Sequence, residues 1–453
     1  MRLALVLLSA TALAGCTLEP IYVRPISAAP QAWPVGAAYS AAQARDTAPL
    51  TYAQVILDPR LRAVIDQALA NNQDLAAAVA NVQIARAQYR IQRAEQFPHL
   101  NGAGQATESH ARGDTTRDYT AALQMPAFEI DLFGRVRSLS HAAQEDYFAT
   151  EAGARAARLT LVGETANAWL ALATDSSLLA IAQDTRVSAQ KTVDLIQAKL
   201  SGGVAPRTDL SQAQTVLQQA RSDVAELTTA VAQDRNALDL LVGAQVADDR
   251  LPGAVEGLEG ALAEVPAGLT SAILLTRPDV EEAEHRLRAA NAQIGAARAA
   301  FFPTIDLTAL AGAASPQLGA LFSRGTFTWQ GQAGASLPIF AGGANVAGLA
   351  QAKGERALAV AQYQKAIQSA FRDVADALAR RGTIQDQLDA QSALTAAAQQ
   401  AYDLSQARYR EGIDPYLNTL DAQRTLYSAQ RSLAQTRLAR AQNLVALYVG
   451  LGG

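Results

Sequence analysis

The stretch from Val136 to Leu200, which ends KTVDLIQAKL (Lys191–Leu200) and turns through SGGVAP (Ser201–Pro206), decides how the rest of the chain is read. No proline interrupts it, and an internal glycine, Gly163, is a defect that a helix tolerates. Helical throughout, about 65 residues at 1.5 Å each make a rod of roughly 100 Å, several times the length of an average globular helix. The returning arm carries Leu210, Ala213, Leu217, Ala220, Val224, Leu227, Val231, Leu238 and Leu241 at three- and four-residue spacing, with Asp234 out of character. That repeat is a coiled-coil seam. Both arms are rich in alanine, so the helices can lie close together. A rod of this length has no compact core of its own and must pack against copies of itself or neighbours.

The same programme runs twice. Asp58-Pro59 opens a helix to about Gln96 that stops at Phe97-Pro98, because the residue before proline leaves the helical region. Two strands follow, at about 98–108 and 118–128, with the polar 109–117 between them as a surface loop. The period of two is clear in Tyr119, Ala121, Leu123 and Met125 and weak in the glycine-rich earlier strand. The long helix (about 135–200) and its return (about 207–243) close the first unit, 58–243. The second, 277–450, repeats it: a helix to Phe301, Phe302-Pro303, and strands at about 303–312 and 326–338. Its rod, about 344–410, turns at Glu411-Gly412-Ile413-Asp414-Pro415 into a closing helix, about 416–448. This is one duplication, not a short-period solenoid. Residues 244–276, rich in Gly and Pro, are expected as a linker packing outside the rods.

Net charge is −4 with no sustained basic run, which argues against nucleic acid as a partner. The four histidines lack ligand spacing, so neither a metal nor another cofactor is expected. After residue 14 no apolar run reaches the roughly 18 residues of a transmembrane helix. The single cysteine, Cys16, closes Leu13-Ala14-Gly15-Cys16 after an apolar leader, so residues 1–15 read as a signal peptide. That ending resembles the bacterial lipoprotein signal, with Cys16 the lipidated mature N-terminus; the alternative is a buried thiol. Thr17 at the next position favours sorting to the outer membrane. Residues 16–57, with Pro20, Pro25, Pro30 and Pro34 among Tyr22, Trp33 and Tyr39, read as an extended tether from lipid to body.

Four strands of about ten residues, apolar on one face and polar on the other, match the pattern of a membrane β-barrel. Four cannot close one, and an open edge in lipid leaves unpaired backbone groups. Closure needs copies. Phe97, Phe128, Phe301, Phe302 and Phe340 sit at the helix-side ends and fit an interfacial aromatic girdle; the alternative is a soluble β-sandwich face.

In this order the residues resemble the outer-membrane efflux proteins, the TolC-like outer membrane factors, of the lipidated type serving resistance–nodulation–division pumps. The resemblance rests on the lipobox followed by Glu19-Pro20-Ile21-Tyr22-Val23-Arg24-Pro25, then Asp58-Pro59 with Leu61, Phe97-Pro98 and Asp131-Leu132-Phe133-Gly134. It continues through Arg277-Pro278-Asp279-Val280 with Glu284, Phe302-Pro303, Tyr409-Arg410-Glu411-Gly412-Ile413, Leu417 and Leu420-Asp421-Ala422-Gln423. It implies a homotrimer: a twelve-stranded β-barrel in the outer membrane continued by a twelve-helix α-barrel through the periplasm. It implies a passive exit duct for small toxic compounds or drugs, meeting a periplasmic adaptor protein and an inner-membrane pump. A type I protein-secretion duct of the same architecture is the alternative function, and a non-conducting envelope spacer a third.

No catalytic constellation appears, and no enzyme is expected. Ser140 and His141 are helix neighbours that do not face each other, and Asp248-Asp249 lie in the linker. Glu281-Glu282 occupy a first helical turn, and Gly342-Gly343 lack the Lys-Ser/Thr of a phosphate loop. Leu417 and Asp421, four apart just beyond the second turn, share a helix face. In a trimer each becomes a ring, one apolar and one charged, which are gating and selectivity devices; the alternative is a seam leucine and a solvated charge. The resemblance implies Tyr409 and Arg410 on the facing rod as their latch partners, paired across to a neighbouring helix. The tips at Gly202, Gly203 and Val204 and at Gly412, Ile413 and Pro415 are expected to dock the adaptor.

Overall fold

The computed structural model describes residues 17–30, 32–39, 51–258, 260–264 and 271–453; the signal segment and Cys16 lie outside the described residues. Helices α1 (Tyr52–Val55), α2 (Pro59–Asn71) and α3 (Gln73–Ala94) lead to strands β1 (Asn101–Ala111) and β2 (Asp114–Glu129). Then come α4 (Arg135–Ser201) and α5 (Arg207–Val242), 67 and 36 residues long. The second half holds α6 (Pro278–Ala299), β3 (Thr304–Ser315), β4 (Phe327–Ser336), α7 (Ala344–Arg410) and α8 (Tyr416–Gly450). The chain packs as two compact units. One carries the sheet (Val79–Ala152 and Glu281–Lys365, with the chain up to Ile26); the other is helical (Ser27–Ala78, Gly153–Val280, Ala366–Gly453).

In the sheet unit the four strands are antiparallel in the order β1-β2-β3-β4, which leaves β1 and β4 as edges unpaired among the described residues. Register puts Leu123, Ala311 and Trp329 on one row, and Ala121, Ala313 and Phe327 on another of the same face. The opposite face carries Gln105 beside Thr120, and Thr308 beside Gln332. One face is therefore apolar with small residues, the other polar. The expected loop at 109–117 is instead hairpin: Arg112 (φ 54°) and Gly113 (φ 91°) make a two-residue turn. Polar pairs extend the ladder there, with Arg117 donating to Glu108 at 3.1 Å and His110 meeting Thr115 at 2.9 Å. A bulge between Met125 and Phe128 accommodates Pro126, which cannot donate to a ladder.

Two further expectations change. The first helix breaks at Asn72, whose extended backbone (ψ 129°) starts α3 while its side-chain oxygen accepts from the Leu75 amide at 2.8 Å. The linker is core and not covering: Val246, Val255, Ala261 and Leu262 are buried in the same apolar cluster as Trp169, Leu238 and Leu447 of the helical unit. The end of the tether joins it through Val55, Ile56 and an Ile56–Leu262 bridge. Sequence motifs find their reasons locally. Asp58 caps α2 by accepting from the Arg60 and Leu61 amides. Arg277 is buried, forks onto Asp279 and donates to the last helical carbonyl, Gly450, at 2.8 Å.

The first described segment of the tether, Thr17–Ile26, lies on α4 and α6 in the sheet unit. Glu19 meets His141 at 3.0 Å, and the buried Glu145 accepts from His285 at 2.6 Å while lying 3.5 Å from His141. Burial alone would raise Glu145, but the His141 and His285 hydrogen bonds hold it down at about 2. The Glu145 and Glu19 carboxylates push His141 up to about 10. A raised histidine stabilises the fold fully below its free value of 6.5, and that contribution is lost as pH rises through about 10. The depressed carboxylate contributes above 4.5 and loses it as pH falls through about 2. Melting temperature is therefore expected to decline on the alkaline side, and His141→Gln to flatten that decline. An alkaline limb identical in His141→Gln would contradict this assignment.

Candidate functional site

The two rods end alike, both in the helical unit. At the first turn Val204 N donates to Lys199 O (2.9 Å) and Gly203 N to Leu200 O (3.0 Å). At the second, Ile413 N donates to Arg408 O (2.9 Å) and Gly412 N to Tyr409 O (3.1 Å). This is the same C-terminal cap twice, with Gly203 (φ 77°) and Gly412 (φ 73°) in the left-handed conformation that glycine adopts without penalty. Pro206 and Pro415 then precede the returning helices as extended residues. The cap leaves Val204 and Ile413 pointing outward, 76% and 61% exposed. Gly202 sits just before the first cap. The second turn is further tied by Arg408 forking onto Asp414.

Leu417 and Asp421 are exposed on one face of α8, while Tyr416, Thr419 and Leu420 are buried on the other. Tyr409 packs 5.4 Å from the Tyr416 ring in a tip core with Ile196, Ala213 and Leu420, and its hydroxyl is buried without a partner among the described residues. Burial raises the Tyr409 phenol, with Asp209 adding to it, and pushes Tyr416 up to about 12. Both hydroxyls therefore stay neutral. Arg410 is exposed and lines a groove of about 270 Å³ with Asp184, Ser188, Lys191 and Tyr402. The structure thus keeps Leu417 and Asp421 together and places Tyr409 inside the tip.

Lys199 was not legible as a site residue. Its ammonium donates to the Tyr409 carbonyl at 3.0 Å and lies 4.3 Å from the Tyr409 ring centre. It thereby joins the end of α4 to the end of α7. A charged donor on a carbonyl contributes about 1.5–3 kcal/mol, and a cation over an aromatic face about 0.5–1 kcal/mol more. Higher on the rods Ser188 meets Tyr402 at 2.7 Å, and Tyr427 donates to the buried Asp223 at 2.6 Å. The two hairpins of one chain are therefore stitched by polar contacts along their length as well as by apolar packing. Among the described residues no cluster of three or more metal-ligating side chains occurs.

Aromatic side chains mark both ends of the sheet. At the helix side Phe133 stacks on Phe302 at 4.6 Å, and Phe97 and Phe340 are exposed. At the far side Phe322, Phe327 and Trp329 are 83%, 71% and 74% exposed. In the sequence, Tyr119, Phe327 and Trp329 read only as apolar strand residues; that they form a second girdle shows once the register brings them together with the loop residue Phe322.

The profile of the outer membrane efflux protein family matches residues 64–244 and 269–453. The antibiotic efflux pump outer membrane protein ArpC of Pseudomonas putida is 43% identical over 451 residues, covering 97% of this chain and 93% of that protein. A crystal structure of a membrane protein from Pseudomonas aeruginosa is similar at a TM-score of 0.90 and 38% identity, over 96% of this chain and 100% of that one. The open state of the Neisseria gonorrhoeae MtrE outer membrane channel gives 0.87 at 35% identity, over 97% and 98% of the two chains. With strands, rods and both turns inside the matched regions, the chain belongs to the outer membrane efflux protein family.

Proposed function

We propose that the chain is the outer-membrane subunit of a tripartite pump, a passive duct for antibiotics and other small toxic compounds. The observation that carries this is the four-stranded sheet: apolar on one face, polar on the other, with aromatics at both ends and two unpaired edges. An apolar outer band, a polar lumen and no free edge is what lipid demands of strands. Three copies give twelve strands, with the polar face turned inward. Cys16 carries the lipid and anchors the chain to the membrane. The turns at Gly202, Gly203, Val204 and at Gly412, Ile413, Pro415 dock a periplasmic adaptor, which hands over compounds driven by an inner-membrane resistance–nodulation–division pump. The exposed Val204 and Ile413 are the apolar contacts such docking needs. Leu417 and Asp421 line the bore near the tip, with Arg410 beside them and Tyr409 holding the tip from within.

Deleting the gene in its own host, then measuring antibiotic susceptibility and accumulation, tests the reading. Increased susceptibility, restored by the parent and by a trimeric Cys16→Ala variant that takes up no acyl label, is the expected outcome. Unchanged susceptibility together with loss of a secreted protein would instead identify a protein-secretion duct.

A further inference from the structure

The segment Thr17–Ile26 is held more like a bound peptide than like a tether. Its backbone carbonyls at Leu18 and Pro20 accept from Arg298 (3.0 Å) and Asn291 (2.7 Å) of α6. Its polar side chains face the groove. Glu19 pairs with His141 of α4, Tyr22 donates to Glu284 at 3.2 Å, and Arg24 forks onto Glu284 at 2.9 and 2.8 Å. Arg288 closes the site, donating to Glu284 at 2.7 Å and lying 5.1 Å from the Tyr22 ring centre. Ile21 and Val23, which make no such contacts, are 90% and 69% exposed.

The groove is built for this close approach. A β-carbon on Gly295 would lie 2.8 Å from the Glu19 α-carbon, and one on Gly134 would lie 3.0 Å from that of Thr17. Asn291 is fully buried and itself held by Arg356 at 3.1 Å, so the amide that grips Pro20 is pre-aimed. Glu284 is 4% exposed, and a buried carboxylate is tolerated only with its cations in place. Between α4 and α6 the apolar contact at this level is Ala142 against Ala289 and Ala292. Alanine contacts let helices approach closely but bury little surface.

We propose that the groove on α4 and α6 is a peptide-binding site whose ligand is the chain's own Thr17–Ile26, and that its seating locks the two helices together. The segment touches both helices, Ser138 and His141 on one and Glu284, Asn291 and Arg298 on the other. It supplies the Arg24 cation that pairs with the buried Glu284 and the Tyr22 ring that lies against Arg288. An empty groove would leave Glu284 and Arg288 in a partly dry cleft, so seating and helix packing form one cooperative step. This holds whether or not Cys16 is lipidated.

The test is maleimide labelling of Ala292→Cys in the full-length protein, each rate read against the same variant without the added cysteine. With the strap intact, labelling is slow. In Glu19→Ala/Arg24→Ala it is expected to rise about tenfold, because the helices open locally once two charge-assisted contacts are gone. A synthetic peptide of residues 17–26 should slow it again, while a scrambled peptide of the same composition should not. Ile21→Ala, on the outward face, should leave the rate unchanged. Where the double variant does not fold, Arg24→Lys keeps the charge but loses the fork, and an intermediate rate is expected. Parental labelling in the strap variants, equal acceleration by Ile21→Ala, or no protection by the peptide would each overturn the proposal.

Discussion

In planar bilayers, channels carrying Lys199→Met are expected to be open about ten times as often as the parent, the effect of some 1.4 kcal/mol on a two-state gate. Methionine keeps the length and apolar stem of lysine but removes the ammonium that donates to the Tyr409 carbonyl at 3.0 Å and covers its ring. The second turn then loses its directed polar tie to the first, while the apolar tip core of Ile196, Ala213, Tyr416 and Leu420 remains. The variant therefore folds and assembles, and the change appears in open probability. If Leu417 and Asp421 line the bore as proposed, Leu417→Ala with Arg410→Ala should widen it and raise conductance. Asp421→Ala should then lower cation preference without lengthening the open state, because it removes the proposed ring of negative charge. Tip variants that stay assembled yet conduct like the parent would place the gate elsewhere.

Trp169→Ala has the largest expected effect on stability. The ring is fully buried, its indole N–H donates to the Arg250 carbonyl at 3.0 Å, and the Arg60 guanidinium lies 5.6 Å from its centre. Truncation leaves a cavity and an unpaired carbonyl, so a loss of about 3–5 kcal/mol is expected. Denaturant melts in detergent should show a lower midpoint. Trp169→Phe refills most of the volume but not the hydrogen bond, and should lie between parent and alanine. The loss falls on the docking of residues 248–258, since Val255 and the Arg250 carbonyl are what Trp169 and Ser177 hold. A midpoint within error of the parent for Trp169→Ala would mean that this segment packs some other way.

What was legible in the sequence was periodic. The coiled-coil seam from Leu210 to Leu241, the prolines after Phe97 and Phe302, and the Gly-x-x-Pro turns all act within a few residues of themselves. The hairpin at 109–117 was missed because its residues are polar; cross-strand partners such as Glu108 and Arg117 make a ladder of them. The break at Asn72 was hidden because asparagine interrupts a helix only when its side chain finds a new amide, here that of Leu75. Lys199 and Glu284 were beyond local reading for one reason. Their partners, Tyr409 and Arg24, lie 210 and 260 residues away, and only the fold brings them together. Asp234, singled out as foreign to its seam, feels both burial and the nearby Asp175 carboxylate, which together push it up to about 6, so it takes up a proton more readily than a free aspartate.

In the proposed assembly the unpaired β1 and β4 edges are closed by other copies of the same chain. The measurement that meets it most directly is the mass of the purified protein in mild detergent, corrected for bound detergent and lipid. Three copies per particle, with no folded monomer at any protein concentration, is the predicted result. A stable monomer retaining its full strand content would contradict the account, because its two edges would then lie open in an apolar medium.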